Sequence, residues 1–130
     1  MHAAARFLVV VPTHRLQLAQ ATIDTLQASL TYPTEFHVLD GTRNKCRAIN
    51  EALRTLVDPA RHDLFVTVDD DLIFPDNWQQ SLALAFASID NLGACGIDYS
   101  GSKAGRQLMG AARRAKLSRV GDVLFRDCTA

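Results

Sequence analysis

Apolar and polar residues alternate along the chain in blocks, and the block lengths distinguish strands from helices. Phe7-Leu-Val-Val-Val11 is a continuous β-prone run that stops at Pro12, the pattern of a strand covered on both faces. From Leu16 to Leu30 the spacing changes to three and four, with Leu16, Ala19, Ile23, Leu26 and Leu30 on one side, which predicts a helix closed by Tyr32-Pro33. Phe36-His-Val-Leu39 predicts a short second strand, and Asp40-Gly41-Thr42 a turn. A second helix comes next, with Cys46, Ile49, Ala52, Leu53 and Leu56 inward and Asp58-Pro59 at its end. Leu64-Phe-Val-Thr-Val68 reads as a buried third strand that runs directly into Asp69-Asp70-Asp71.

Beyond the triplet, Asp76 and Gln79 have the spacing of a capping box for a third helix, whose inner residues are Trp78, Leu82, Phe86 and Ile89. Leu92-Gly-Ala-Cys-Gly-Ile97 reads as a weak fourth strand. After residue 98 the pattern fades into a loop, a basic helix over 106–119 and a strand at Val123–Phe125. The order βαβαβαβ, with crossovers long enough for helices, predicts an α/β fold of three layers, α/β/α, with a mostly parallel sheet. At 130 residues the chain is expected to be one domain, 1–130, with 98–130 a less regular basic tail.

Composition narrows the class. Hydrophobic residues make up 48% of the chain and charged residues 22%, an ordinary globular balance. The net charge is zero, but its distribution is uneven: residues 1–102 hold 12 acids against 7 Lys and Arg, whereas 103–130 hold 2 against 7. Cys46, Cys95 and Cys128 are far apart, with no CxxC and no zinc-ligand spacing. They predict no disulfide framework and a reducing, cytoplasmic setting, with Cys46 and Cys95 as buried thiols. The apolar start is too short for a membrane span and is broken by Pro12. There is no glycine-rich loop after the first strand, as a dinucleotide fold requires, and no aromatic-interleaved basic motif for nucleic acid. A receiver domain would need acids where the chain has Pro12-Thr13-His14-Arg15.

The candidate chemistry comes from topology. Ligands of open α/β sheets bind beyond the carboxyl ends of the strands, and three such ends are polar here: Thr13 to Arg15, Asp40 to Thr42, and Asp69 to Asp71. Adjacent carboxylates repel one another, and a divalent cation relieves that repulsion. Mg²⁺ or Mn²⁺ prefers carboxylate and phosphate oxygens. Strand alternation lets Asp69 and Asp71 share a side, with Asp70 directed away. Asp71, with Asp69 or its water, is therefore the expected metal pair; the alternative is an acidic loop solvated at the surface or capping the next helix. Asp40 is either an acceptor for a base or ribose or a plain turn former. Arg15 either contacts phosphate or pairs with the triplet. Arg43, Lys45 and Arg47 stand where a helix start can meet a pyrophosphate.

These motifs together resemble the nucleotide-binding half of a family 2 glycosyltransferase of GT-A fold. Pro12-Thr13-His14-Arg15 resembles the family's Pro-Thr-aromatic-Asn but departs at its last two positions. Val38-Leu39-Asp40-Gly41-Thr42 keeps one of the usual two aspartates, and Ala48-Ile49-Asn50 resembles Ala-x-Asn. Val68-Asp69-Asp70-Asp71-Leu72-Ile73-Phe74-Pro75 is similar to the hallmark Leu-Asp-x-Asp followed by apolar residues and proline. The resemblance implies a nucleotide-diphospho-sugar donor and Mn²⁺ or Mg²⁺. By that resemblance Asp40 would touch the base, Asp69 the ribose or metal, and Asp71 the metal and diphosphate; Thr13, Arg15 and Asp70, from their positions at the strand ends, are further candidates for the nucleotide. It also implies a carboxylate base downstream, yet Asp98, Asp122 and Asp127 match no motif. Two expectations therefore stand side by side: glycosyl transfer, or a GT-A-like binding domain without the acceptor-activating base. Sheet edges left open predict a homodimer.

Overall fold

The computed structural model describes residues 4–94, 116–120 and 123–127. The chain divides into two compact units, residues 1–80 and 81–130. The first holds strand β1 (Phe7–Thr13), helix α1 (Leu16–Ala28), strand β2 (Thr34–Asp40), helix α2 (Lys45–Thr55) and strand β3 (Leu64–Thr67). Helix α3 (Trp78–Ser88) begins in that unit and ends in the second, which also holds strands β4 (Lys116–Val120) and β5 (Val123–Asp127).

β1, β2 and β3 form a parallel sheet in the order β2-β1-β3, as the βαβαβ order demands. β1 is the central strand and is buried along its whole length. It runs two residues further than the apolar run, through Pro12 to Thr13, because β2 pairs with it as far as Asp40 opposite Thr13. A proline in a central strand removes a ladder donor. Here the loss falls on the β3 side, since strand groups alternate in direction and Thr13 accepts from Gly41 on the β2 side. β3 pairing ends at Thr67 opposite Val10, so Pro12 lies past the last paired residue.

One face of the sheet packs on α2: Leu8 and Val10 cluster with Ala52, Leu39, Leu56, Val57 and Phe65. On the other face Phe7 meets Tyr32 and Trp78 edge-on, with ring centroids at 5.6 and 6.0 Å. The indole Nε1 of Trp78 donates to Ser29 Oγ at 2.7 Å, just beyond α1. Trp78 is thus the apolar anchor that its spacing predicts.

Several expectations are corrected. The buried stripe of α1 is Ala19, Thr22, Ile23 and Leu26, whereas Leu16, the first residue of the helix, is 57% exposed. On α2 only Ala52 is fully buried. Leu53 is exposed and so is the Cys46 thiol, since a single narrow side of this helix meets the sheet. β3 is half-buried rather than buried; it is an edge of the three-stranded sheet. The capping box does not form. Helix α3 starts at Trp78, after Asn77 in the left-handed region, and Gln79 is completely buried. Its Oε1 accepts from Thr31 N and Tyr32 N at 2.8 and 3.0 Å, and its Nε2 donates to Thr34 Oγ1 at 2.7 Å. Three polar groups at the α1–β2 turn outcompete one helix cap for the same amide.

Leu92 to Ala94 are not in a strand, and residues 95–97 of the expected fourth strand lie outside the described residues, as do Cys95, Cys128, Asp98 and Asp122. Residues 116–119 belong to a strand and not to a basic helix. β4 and β5 form an antiparallel pair, with Lys116 opposite Asp127 and Val120 opposite Val123. No helix among the described residues is long and apolar enough to cross a membrane.

Candidate functional site

Parallel pairing brings the ends of β1, β2 and β3 to one edge of the sheet. There a cleft of about 300 Å³ is lined by Pro12, Thr13, His14, Arg15, Gly41, Lys45 and Asp69 to Asp71. β1 and β3 contribute the polar residues just past their apolar runs, and β2 contributes Gly41. Gly41 allows β2 to leave close beside β1. Its N–H donates to Thr13 O at 2.9 Å, and a Cβ on it would stand 3.2 Å from Thr13 N. Lys45 is the first residue of α2, whose start is capped by Asn44 accepting from Arg47 N at 3.1 Å.

The triplet begins directly after Val68, which is 3% exposed and whose N–H still bonds Val10 O at 3.0 Å. The three carboxylates then diverge. Asp70, expected to turn away, is the most engaged, with a side chain only 12% exposed. Arg15 grips it with both arms of its fork, Nε to Oδ2 at 3.0 Å and Nη2 to Oδ1 at 2.7 Å. Thr13 Oγ1 donates to Oδ2 at 2.8 Å, and the same hydroxyl accepts from Arg15 N at 3.0 Å. The Arg15 guanidinium, helped by the Thr13 hydroxyl, holds the Asp70 carboxyl down at about 2. Conversely, Asp70 raises the guanidinium above its ordinary value. Asp69 pairs with the Lys45 ammonium through Oδ1, which raises the lysine. Asp71 is 70% exposed and lies 3.9 Å from Arg15 Nη2.

Thr13, Arg15, Asp69, Asp70 and Asp71, all expected at a site, therefore line one cleft. Asp40 does not. Although paired in register with Thr13, it accepts from Thr42 N at 2.9 Å and from the Thr42 hydroxyl, bonds that lower its carboxyl within its own turn. The ion pair from Lys45 to Asp69 is the feature that spacing alone does not identify. Lys45, Arg43 and Arg47 look alike in the sequence, and only the position of α2 against the sheet selects one.

The donor set decides what kind of divalent cation site the cleft can offer. Both oxygens of Asp70 are occupied by Arg15 and Thr13. Asp69 Oδ1 is held by Lys45, while Asp69 Oδ2 and the Asp71 carboxylate are left as hard oxygen donors. Among the described residues no three His, Cys, Asp or Glu side chains form a metal-holding group. Asp69 and Asp71 are the residues that would hold a divalent cation, which ordinarily takes one or two carboxylates and completes its shell with phosphate oxygens and water.

No protein-family model, no curated protein and no solved structure matches the chain.

Proposed function

We propose that the chain binds a nucleoside-diphospho-sugar together with Mn²⁺ or Mg²⁺ in the strand-end cleft, as a GT-A-like domain, and serves glycosyl transfer. One observation carries this reading: the ends of β1 and β3 and the start of α2 put a hydroxyl, two cations and three carboxylates around one cleft of about 300 Å³. Asp71 and Asp69 are the residues that would hold the ion, and the ion supplies positive charge to a leaving diphosphate. Arg15 is preset by Asp70 and Thr13, so its guanidinium is already ordered beside the cleft when an anion arrives. Lys45, at the first position of α2, places an ammonium and the positive end of the helix on the same side.

A second reading draws on the pairing of the carboxylates. A general base must be free to take a proton. Asp70 and Asp69 are both ion-paired, and Asp71 is assigned to the ion. In that reading the chain is a binding domain without an acceptor-activating base; the downstream candidates Asp98 and Asp122 lie outside the described residues.

The test is a thermal-shift series with nucleoside diphosphates and their sugar conjugates, with and without Mn²⁺. Stabilisation that requires both one nucleotide and metal, and that disappears in Asp71→Asn, supports the site. Sugar transfer or donor hydrolysis lost in the same variant selects the enzyme; binding without turnover selects the binding domain. No stabilisation by any nucleotide refutes both. The accompanying homodimer is checked by light scattering after size exclusion.

A further inference from the structure

Charge in the cleft does not balance. Asp69, Asp70 and Asp71 face two permanent cations, Arg15 and Lys45, beside the imidazole of His14, so one carboxylate is in excess of the permanent positive charge. That excess sits on Asp71, the most exposed of the three. A diphosphate arriving alone meets this uncompensated negative charge, with both nearby cations already paired. A divalent cation arriving alone finds Asp70 closed by two partners and Asp69 shared with Lys45. Neither ligand is well served by itself.

The two cations differ in how readily they can change partners. Arg15 holds Asp70 with two bonds, and a third group, Thr13, locks the same carboxylate; Asp70 is only 12% exposed. Lys45 makes one contact, to one oxygen of Asp69, and both of those side chains are about half exposed. An ammonium on a four-carbon stem, pairing as a point charge, can swing without breaking a fixed fork. Lys45 is therefore the movable member.

Resting on the nucleotide reading above, we propose that Lys45 is an exchange residue that makes cation and diphosphate binding interdependent. In the free cleft it neutralises Asp69. When a divalent cation takes Asp69 and Asp71, the displaced ammonium turns to the diphosphate that arrives with the ion. Each ligand raises the affinity for the other by the same factor, as linkage requires. The device keeps the free triplet from gathering metal and makes capture of a diphosphate depend on the ion.

The experiment uses the full chain with Mn²⁺ alone, inorganic pyrophosphate alone, and the two together. Free Mn²⁺ is read by electron paramagnetic resonance and heats by calorimetry. Lys45→Gln is expected to move the two affinities in opposite directions. Mn²⁺ alone binds about two- to five-fold tighter, the worth of one exposed ion pair released from Asp69. Pyrophosphate in the presence of Mn²⁺ binds roughly tenfold weaker, having lost a charged donor. Asp69→Asn is the mirror: it frees Lys45, so pyrophosphate alone binds tighter while Mn²⁺ alone binds weaker. A mere loss of structure would weaken every ligand in both variants. If Lys45→Gln weakens or leaves unchanged the binding of Mn²⁺ alone, or if wild type shows no coupling between Mn²⁺ and pyrophosphate, the exchange is refuted. If the coupling holds with pyrophosphate but no nucleoside diphosphate reproduces it, the exchange stands and the nucleotide reading falls.

Discussion

Replacing Asp70 by asparagine removes one negative charge from the most tightly held member of the triplet and keeps its shape. The Thr13 hydroxyl still finds an oxygen to donate to, so the loss is confined to the ion pair with Arg15. The magnitude comes from linkage. The Asp70 carboxyl is held at about 2 against an ordinary 3.8, mainly by the Arg15 hydrogen bonds. That gap converts to roughly 2 kcal/mol of stability at pH 7. The Arg15 side chain is 42% exposed, so solvent screening brings the expected difference to about 1–2 kcal/mol. The sign is set by the native state holding its proton less tightly than the unfolded chain. The contribution is present in full above pH ~5, falls to about half near pH 3, and is largely lost by pH ~2. Urea unfolding of wild type and Asp70→Asn, followed by the buried lone Trp78, measures the difference at each pH. Two results refute the reasoning: equal stability at pH 7, or a difference that does not shrink as the pH is taken from neutral down through the acid range.

Gln79→Leu leaves Thr31 N–H and Tyr32 N–H without their acceptor and Thr34 Oγ1 without its donor, and is expected to lower unfolding free energy by roughly 2–3 kcal/mol in urea titrations. A capping role for Gln79 would give a much smaller loss. Gly41→Ala drives a methyl to 3.2 Å from the Thr13 backbone nitrogen, which cannot rotate aside. A loss of roughly 1–2 kcal/mol by the same assay is expected, with weaker binding of any diphosphate, because the ends of β1 and β2 are forced apart.

The parallel sheet, and the edge at which chemistry gathers, were legible in the linear chain. Apolar runs ending at Pro12, Asp40 and Asp69, separated by crossovers long enough for helices, leave little choice but parallel strands with their polar exits together. Periodicity is a local property, so α1, α2, α3 and the anchoring Trp78 could be read from spacing. Which side of each helix meets the sheet is decided by contact area, not by spacing, and Cys46, Leu53 and Leu16 are exposed for that reason. The fate of Gln79 was likewise tertiary: its amide is worth more to a distant turn than to its own helix. The antiparallel pairing of 116–120 with 123–127 replaced the end of an expected basic helix over 106–119, because cross-strand pairing overrides a weak local pattern. At the cleft, the residue types were readable but their pairing was not. Three consecutive aspartates look equivalent in a sequence. Folding separates them: Thr13 and Arg15, 57 and 55 residues away along the chain, close on Asp70, Lys45 takes Asp69, and Asp71 is left mostly to solvent. That division of labour depends on which cation the packed sheet and helix bring within reach of each carboxylate, and distance in space is the one quantity a linear chain does not carry.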